Sequence, residues 1–378
     1  CVVTQHVMTV LFNLGVALGL LYVLYKDNLL SVFAKFTCAL IVVNQIFTPN
    51  GNETRLLPFQ VVVPGFRALA LAGLYFLVAS QRDTRTNLGL VVLSTTLLSA
   101  ALVSHGGGVM LIPVTLVVAL VTRRRVLLLA PLVLACIFAA YSYFYRSVGP
   151  FSGGIFILGD VPHHLWDYAR ITAFLLGHTF AWGLAGDLGD YAFGEVGIIV
   201  AIISTAVFVS LYRSQPRIPV PQLFYFSLFI LGGFTVLASV GYNVHASLYN
   251  GEALEPRRFF AARYIVWTAM YWIGLIPFAW SMASHSKKHL TAAIFACSIA
   301  VSLVGDLKSQ ISVIDFERGV NANHRVEAAT MSGRFDELSD EEIREFGLAG
   351  LPAYKRAWAK SIVDIERKYR IGLFRTSK

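Results

Sequence analysis

Apolar residues in this chain come in long uninterrupted runs separated by short polar breaks, with neither the period-two alternation of half-buried strands nor a polar helical face. Ten runs stand out, at 5–25, 29–47, 58–80, 86–103, 109–121, 126–145, 196–212, 223–242, 264–283 and 290–304. Segments 126–145, 197–211, 223–240 and 264–283 contain no charged residue at all. A helix needs roughly 20 residues to cross about 30 Å of hydrocarbon, and only a helix or a closed barrel satisfies its backbone there. Barrel strands would alternate apolar and polar positions. The pattern therefore predicts an all-α, polytopic transmembrane bundle of about ten spans. His105-Gly106-Gly107-Gly108 breaks an apolar stretch too long for one span, so 104–108 reads as a tight hairpin.

After residue 305 the character changes. Residues 1–305 read as the transmembrane domain and 306–378 as an extramembrane helical tail. In the tail, Ser339 with Glu342 forms a capping box, Gly347 is a stop, and Pro352 opens a second helix. That helix carries Tyr354, Trp358, Ile362, Ile365 and Tyr369 at helical spacing, with Lys355, Arg356, Lys360, Arg367 and Lys368 opposite. Such a helix packs on the protein's own outer loops or binds anionic lipid headgroups.

Composition agrees with lipid as the main solvent: 14% charged and 56% hydrophobic residues, against about 25% and 45–50% in soluble domains. The net charge of +9 sits largely in short loops such as Arg123-Arg124-Arg125 and Lys287-Lys288, which makes it orientation charge and not a nucleic-acid footprint. Placing Arg123–Arg125 in the cytoplasm also puts Lys26, Arg82 with Arg85, Arg213 with Arg217, and Lys287 with Lys288 there. This requires that 168–186 not cross completely, but be re-entrant or lie at the outer surface. Were it to cross, the second half would invert and Arg257, Arg258, Arg263 and the tail would become cytoplasmic. The first arrangement is preferred, with the tail extracytoplasmic. Three of the four cysteines, Cys38, Cys136 and Cys297, fall inside predicted spans, and no disulfide framework or zinc spacing exists. The start at Cys1 reads as processed, truncated or incompletely observed.

Charges inside a bilayer are costly and point to function, which singles out Lys35 in the second span and Arg67 in the third. With opposite helix directions they lie roughly 10 Å and 13 Å from opposite membrane edges, within reach of a common polar site for a lipid phosphate. The alternative is snorkelling to an interface. Arg257, Arg258 and Arg263, interleaved with Phe259, Phe260 and Tyr264, form a second cationic cluster at a membrane surface, fit for a diphosphate headgroup or for interfacial anchoring. Carboxylates are scarce. Glu53 lies in the outer loop Asn50-Gly51-Asn52-Glu53-Thr54-Arg55, which also contains a glycosylation sequon, and Asp160, Asp167, Asp187 and Asp190 flank the doubtful segment with His163 and His164. Glu195, Glu252 and Glu255 fall on the same side. A metal would take Asp160, His163, His164 and Asp167 as ligands, but adjacent loop histidines point apart, so no cofactor is expected.

Several segments together resemble a family of bacterial polytopic inner-membrane proteins that look like GT-C-class glycosyltransferases. They are Phe47-Thr48-Pro49-Asn50 through Glu53 to Pro58-Phe59-Gln60, the Ser104 to Pro113 turn with the Arg123 triplet, Ala262-Arg263-Tyr264, and Leu351-Pro352 to Gly372-Leu373-Phe374. The resemblance implies transfer of a sugar from a polyprenyl-phosphate carrier to an extracytoplasmic glycan or lipid. Grooves between spans would hold the isoprenoid, and Arg257, Arg258 and Arg263 with Arg67 would neutralise the departing phosphate. Members of that family carry an acidic residue used as catalytic base in a first outer loop after an earlier span, which Glu53 does not match; Glu53 or Asp160 would be the fallback base. Two rival readings remain, a non-catalytic subunit scaffolding a larger membrane complex and a transporter or flippase.

Overall fold

A computed structural model describes residues 2–47, 62–81, 86–104, 106–146, 164–181, 186–213, 217–249, 254, 262–283 and 304. They lie in one compact unit, Cys1–Gln310; a second, Ile311–Lys378, which holds nearly all of the expected tail, is outside the described residues. So is the expected span 290–304, apart from its last residue.

Among the described residues there are ten α-helices and no strand: α1 Val2–Lys26, α2 Val32–Phe47, α3 Val62–Ala79, α4 Leu88–Ser104, α5 Leu111–Thr122, α6 Leu129–Arg146, α7 Leu165–Ala181, α8 Gly186–Tyr212, α9 Val220–Tyr249 and α10 Ala262–Ala283. Four segments are long and apolar enough to cross a bilayer, Val7–Lys26, Arg125–Tyr143, Gly189–Tyr212 and Val220–Gly241; Val32–Phe47, Val63–Ala79, Leu88–Ser104 and Gly108–Thr122 are shorter apolar helices. The burial pattern is that of a chain solvated by lipid. Leu18, Val32, Leu120, Leu132 and Ile202 are exposed, while Asn13, Gln45 and Arg67 are buried.

Local chemistry sets the helix ends. Asp27 Oδ1 accepts from the Leu29 backbone N–H at 2.9 Å, turning the chain after α1, and Ser31 Oγ caps α2 by accepting from Ala34 N at 3.2 Å. The second helix therefore begins at Val32, three residues later than the apolar run suggests. Asn87 caps α4 through Leu90 N at 3.2 Å. Between α4 and α5 the predicted hairpin is a 3-10 turn, Gly106–Met110. A Cβ on Gly108 would meet the Leu102 backbone at 2.5 Å, so the reversal needs glycine there. Arg123 ends α5 in the left-handed region, φ 55°, with its N–H on the Leu120 carbonyl. Within the spans, Thr95, Thr115 and Thr235 satisfy their hydroxyls on carbonyls one turn back.

The described part of the doubtful segment, 168–181, lies in the unbroken helix α7, antiparallel to the first half of α8, where Gly177 faces Asp190 and Gly194 faces Ala173. That register sets Leu165 level with Ile202, about 15 Å short of the end of α8 at Tyr212. The helix thus runs beside only part of its neighbour.

Among the described residues, the basic positions between helices share one end of the bundle. Asp27, just after α1, bonds Gln222 at the start of α9 and Ser281 at the end of α10. Arg213 and Arg217 flank the α8–α9 connection. Tyr75 packs on Phe224 at 5.8 Å, so α3 finishes at that end, α4 starts there, and the reversal at Gly108 returns Arg123–Arg125 to it. At the opposite end lie the start of α10, the end of α7 and the start of α8.

Candidate functional site

Three polar side chains from three helices meet the apolar interior at one depth. Asn13 of α1 and Arg67 of α3 are each 4% exposed and Gln45 of α2 is 1% exposed. Arg67 Nη2 donates to Asn13 Oδ1. The α1–α2 turn, with Lys35 Nζ on the Tyr25 carbonyl at 2.9 Å, gives an antiparallel register that sets Gln45 level with Asn13. Neither polar atom of the Gln45 amide has a hydrogen-bond partner among the described residues. Leaving such a group dry costs about 1–3 kcal/mol per unsatisfied atom, a cost a polar ligand would relieve. Phe66, beside Arg67, packs edge-on against Trp267 of α10 at 5.1 Å, which brings the fourth helix to this level.

An apolar cavity of about 250 Å³ adjoins this layer between α1, α3 and α9, lined by Gly15, Gly19, Ala68, Ala72, Tyr75 and Phe224 among others. Small residues create it, since a Cβ on Gly15 or Gly19 would meet nothing within 4 Å. One end begins at Gly15 and Ala68, beside the Asn13–Arg67 pair. The other is closed by aromatic rings, with Tyr22 on Tyr75 at 6.4 Å and Tyr75 on Phe224 at 5.8 Å. A hydrocarbon-lined groove that starts one residue along α3 from a buried guanidinium is compatible with an amphiphile of anionic head and apolar tail.

Of the residues singled out in the sequence, Arg67 lies in this site. Lys35 does not. Its ammonium sits on the Tyr25 carbonyl and 5.9 Å from the Tyr25 ring, twelve residues along α1 from the partner of Arg67, or about 18 Å. Because α2 starts at Val32, Lys35 falls in its first turn, at the bundle's end, and takes the snorkelling position. Arg263 lies in the first turn of α10, with its side chain outside the described residues. Glu53, Asp160, Arg257 and Arg258 are outside them altogether. Among the described residues no group of three metal-binding side chains is placed to hold an ion.

Two carboxylate centres take shape only in the fold, one at Asp27 and one at Asp190, of which the sequence marked only the second. Asp27 follows Lys26 in the chain, yet it is 1% exposed and accepts from Leu29 N, Gln222 Nε2 (2.9 Å) and Ser281 Oγ (3.0 Å). Burial pushes its carboxyl above the usual range, opposed by those bonds and the Lys35 charge. At the other end, Asp190 is fully buried and its Oδ2 lies 2.5 Å from His178 Nδ1, with Phe174 stacked on the imidazole. Arg170 donates to Tyr191 Oη at 3.1 Å on the same helix pair. Both centres join residues far apart in the chain or on separate helices, which periodicity does not reveal. No family model, curated protein or solved structure matches the chain.

Proposed function

We propose that this chain is a polytopic membrane protein that holds a phosphate-headed isoprenoid lipid, and that it acts as a GT-C-like glycosyltransferase on a polyprenyl-phosphate-linked sugar. The observation that carries the lipid part is the groove between α1, α3 and α9 that begins beside the Asn13–Arg67 pair. The phosphate would face Arg67 and the Gln45 amide, and the prenyl chain would lie along Gly15, Gly19 and Ala72. The transferase part rests on the sequence resemblance. The protein would reside in a bacterial inner membrane with about ten spans, its basic end cytoplasmic and its sugar chemistry at the opposite end, where Arg257, Arg258 and Arg263 would add to the headgroup site and Glu53 or Asp160 would serve as base.

Filling the groove tests the lipid reading. In nanodiscs containing undecaprenyl phosphate, the wild-type protein should retain the lipid through purification. Gly19→Phe should reduce retention by about tenfold, because the ring occupies the space the chain needs. Leu18→Phe, at an exposed position, serves as the control. Equal retention in wild type, Gly19→Phe and Leu18→Phe would reject the groove as the site. Orientation is tested separately, since Arg217→Cys should react with an impermeant maleimide only in inverted membranes. Labelling in intact cells would reverse the topology.

A second reading, a non-catalytic subunit of a larger complex, is favoured by the enclosure of Asp27 and Asp190, neither of which lines the groove. A stoichiometric membrane partner that co-purifies without prenyl lipid would select it.

A further inference from the structure

The centre at Asp27 ties together parts of the chain that lie far apart in sequence. Its two carboxylate oxygens accept from the α1–α2 turn, from Gln222, 195 residues away in the first turn of α9, and from Ser281, 254 residues away in the last turn of α10. Tyr225, one turn further along α9, faces the same carboxylate and is itself buried. A surface carboxylate would need none of these partners, and a purely structural tie could be made by a neutral amide. This one places an ionisable group, 1% exposed, at the end of the bundle that carries the basic loops.

We propose that Asp27 is a proton-operated latch between the α1–α2 turn and the ends of α9 and α10. In the neutral form the carboxyl still accepts from Leu29 N and Ser281, and its hydroxyl becomes a donor. Gln222 Oε1, buried without a hydrogen-bond partner among the described residues, supplies the matching acceptor once the amide rotates. In the ionised form a full charge sits in a buried site whose donors are one amide, one backbone N–H and the hydroxyls of Ser281 and Tyr225, with Lys35 the one cation acting on it among the described residues, and the turn loosens to admit water. The titratable and charged groups around it come from every neighbouring element. Lys35 and Cys38 lie on α2, Tyr212 ends α8, Tyr225 lies on α9, and α10 contributes Ser281. Lys26 turns its ammonium to the rings of Tyr22 and Tyr25.

The sign follows from the folded carboxyl's raised pKa, caused chiefly by burial. The folded state binds the proton more tightly than the unfolded chain, so the closed latch is most stable in acid. That stability falls as pH rises from the ordinary carboxylate range through the folded value. The latch also abuts the groove. Val23 and Phe224 line the groove's aromatic end, four residues from Asp27 on α1 and two from Gln222 on α9. Release would therefore open that end, whatever the groove contains.

Cys38 gives a native reporter, buried within reach of the Asp27 charge. In full-length protein with Cys1, Cys136 and Cys297 replaced by serine, the labelling rate of Cys38 by a small maleimide is measured from about pH 5 to about pH 9 in wild-type and Asp27→Asn backgrounds. Each rate is divided by that of the urea-unfolded protein to remove the thiol's own titration. The corrected rate should climb at least about tenfold with pH when Asp27 is present and stay level in Asp27→Asn. Identical profiles in the two proteins, or opening toward acid, would overturn the latch. Should Asp27→Asn fail to fold, infrared difference spectra of the Asp27 protein decide. A protonated carboxyl band that vanishes over the same pH range as Cys38 opens supports the latch; its absence at every pH overturns it.

Discussion

Gly177→Leu is expected to prevent α7 from docking on α8. A Cβ at Gly177 would lie 1.6 Å from the Asp190 carbonyl oxygen and 2.7 Å from Gly194 N, both backbone atoms that cannot rotate aside. Directly along the pair, a Cβ on Gly194 would meet the Ala173 carbonyl oxygen at 1.8 Å, so the two glycines together let the helix backbones touch. Forcing the helices apart breaks the His178–Asp190 contact, strands a buried carboxylate, and pulls the Leu176 carbonyl from Trp272 Nε1, now 2.9 Å away. Overpacking ordinarily costs about 1–3 kcal/mol, and a clash with backbone that also leaves a buried charge unpaired belongs above that range. The variant should accumulate poorly and unfold well below the wild type in detergent. A thermal midpoint within about 2 °C of wild type would show that the close approach of these helices is not required.

Asp27→Ala carries the second large effect. Truncation removes the acceptor for Leu29 N, Gln222 Nε2 and Ser281 Oγ at once. Each donor left dry costs about 1–3 kcal/mol, whereas bonds between membrane helices contribute only about 0.6 kcal/mol on average. Relaxation and entry of water at the bundle end place the sum at about 3 kcal/mol. Asp27→Asn keeps an acceptor oxygen and should lose less than half of that. In a double-mutant cycle, Asp27→Ala and Ser281→Ala should be coupled by about 1 kcal/mol, and strict additivity would place the hydroxyl outside the interaction. Equilibrium unfolding in mixed micelles, followed by tryptophan fluorescence, reads both values.

Much of the architecture was legible because membrane solvation is a demand on single segments. Each of the nine apolar runs from 5–25 to 264–283 contains a helix, since a helix satisfies its own backbone without help from the rest of the chain. The turn at Gly106–Met110 was legible for the same reason, three adjacent glycines being a local property. The start of α2 was misplaced because leucines at 29 and 30 look like span residues, while the side chain of Asp27 and the cap at Ser31 hold them in a turn. For 168–186 the sequence favoured an incomplete crossing without saying how the segment packs, and it is the glycine pair with α8 that sets helix α7 alongside half of its neighbour.

The site was less legible. Arg67 stood out as a charge in an apolar run, but its partner Asn13 lies 54 residues away in a span that also reads as lipid-facing. Lys35 stood out equally, yet three residues of turn move it to the end of the bundle. The groove comes from glycines and alanines whose periodicity matches ordinary helix packing, and emptiness between helices has no residue type of its own.

By itself, then, the sequence determined that this protein is helical, that several of its helices are apolar enough to cross a bilayer, and where most of them begin and end, because hydrophobic length, caps and glycine turns act within one segment. Tertiary structure alone decided which polar groups share a depth, that Asp27 is enclosed while Lys35 is not, and that a groove opens beside Arg67. Those outcomes depend on the register of one helix against another, set by backbone contacts and hydrogen bonds between residues up to 254 positions apart.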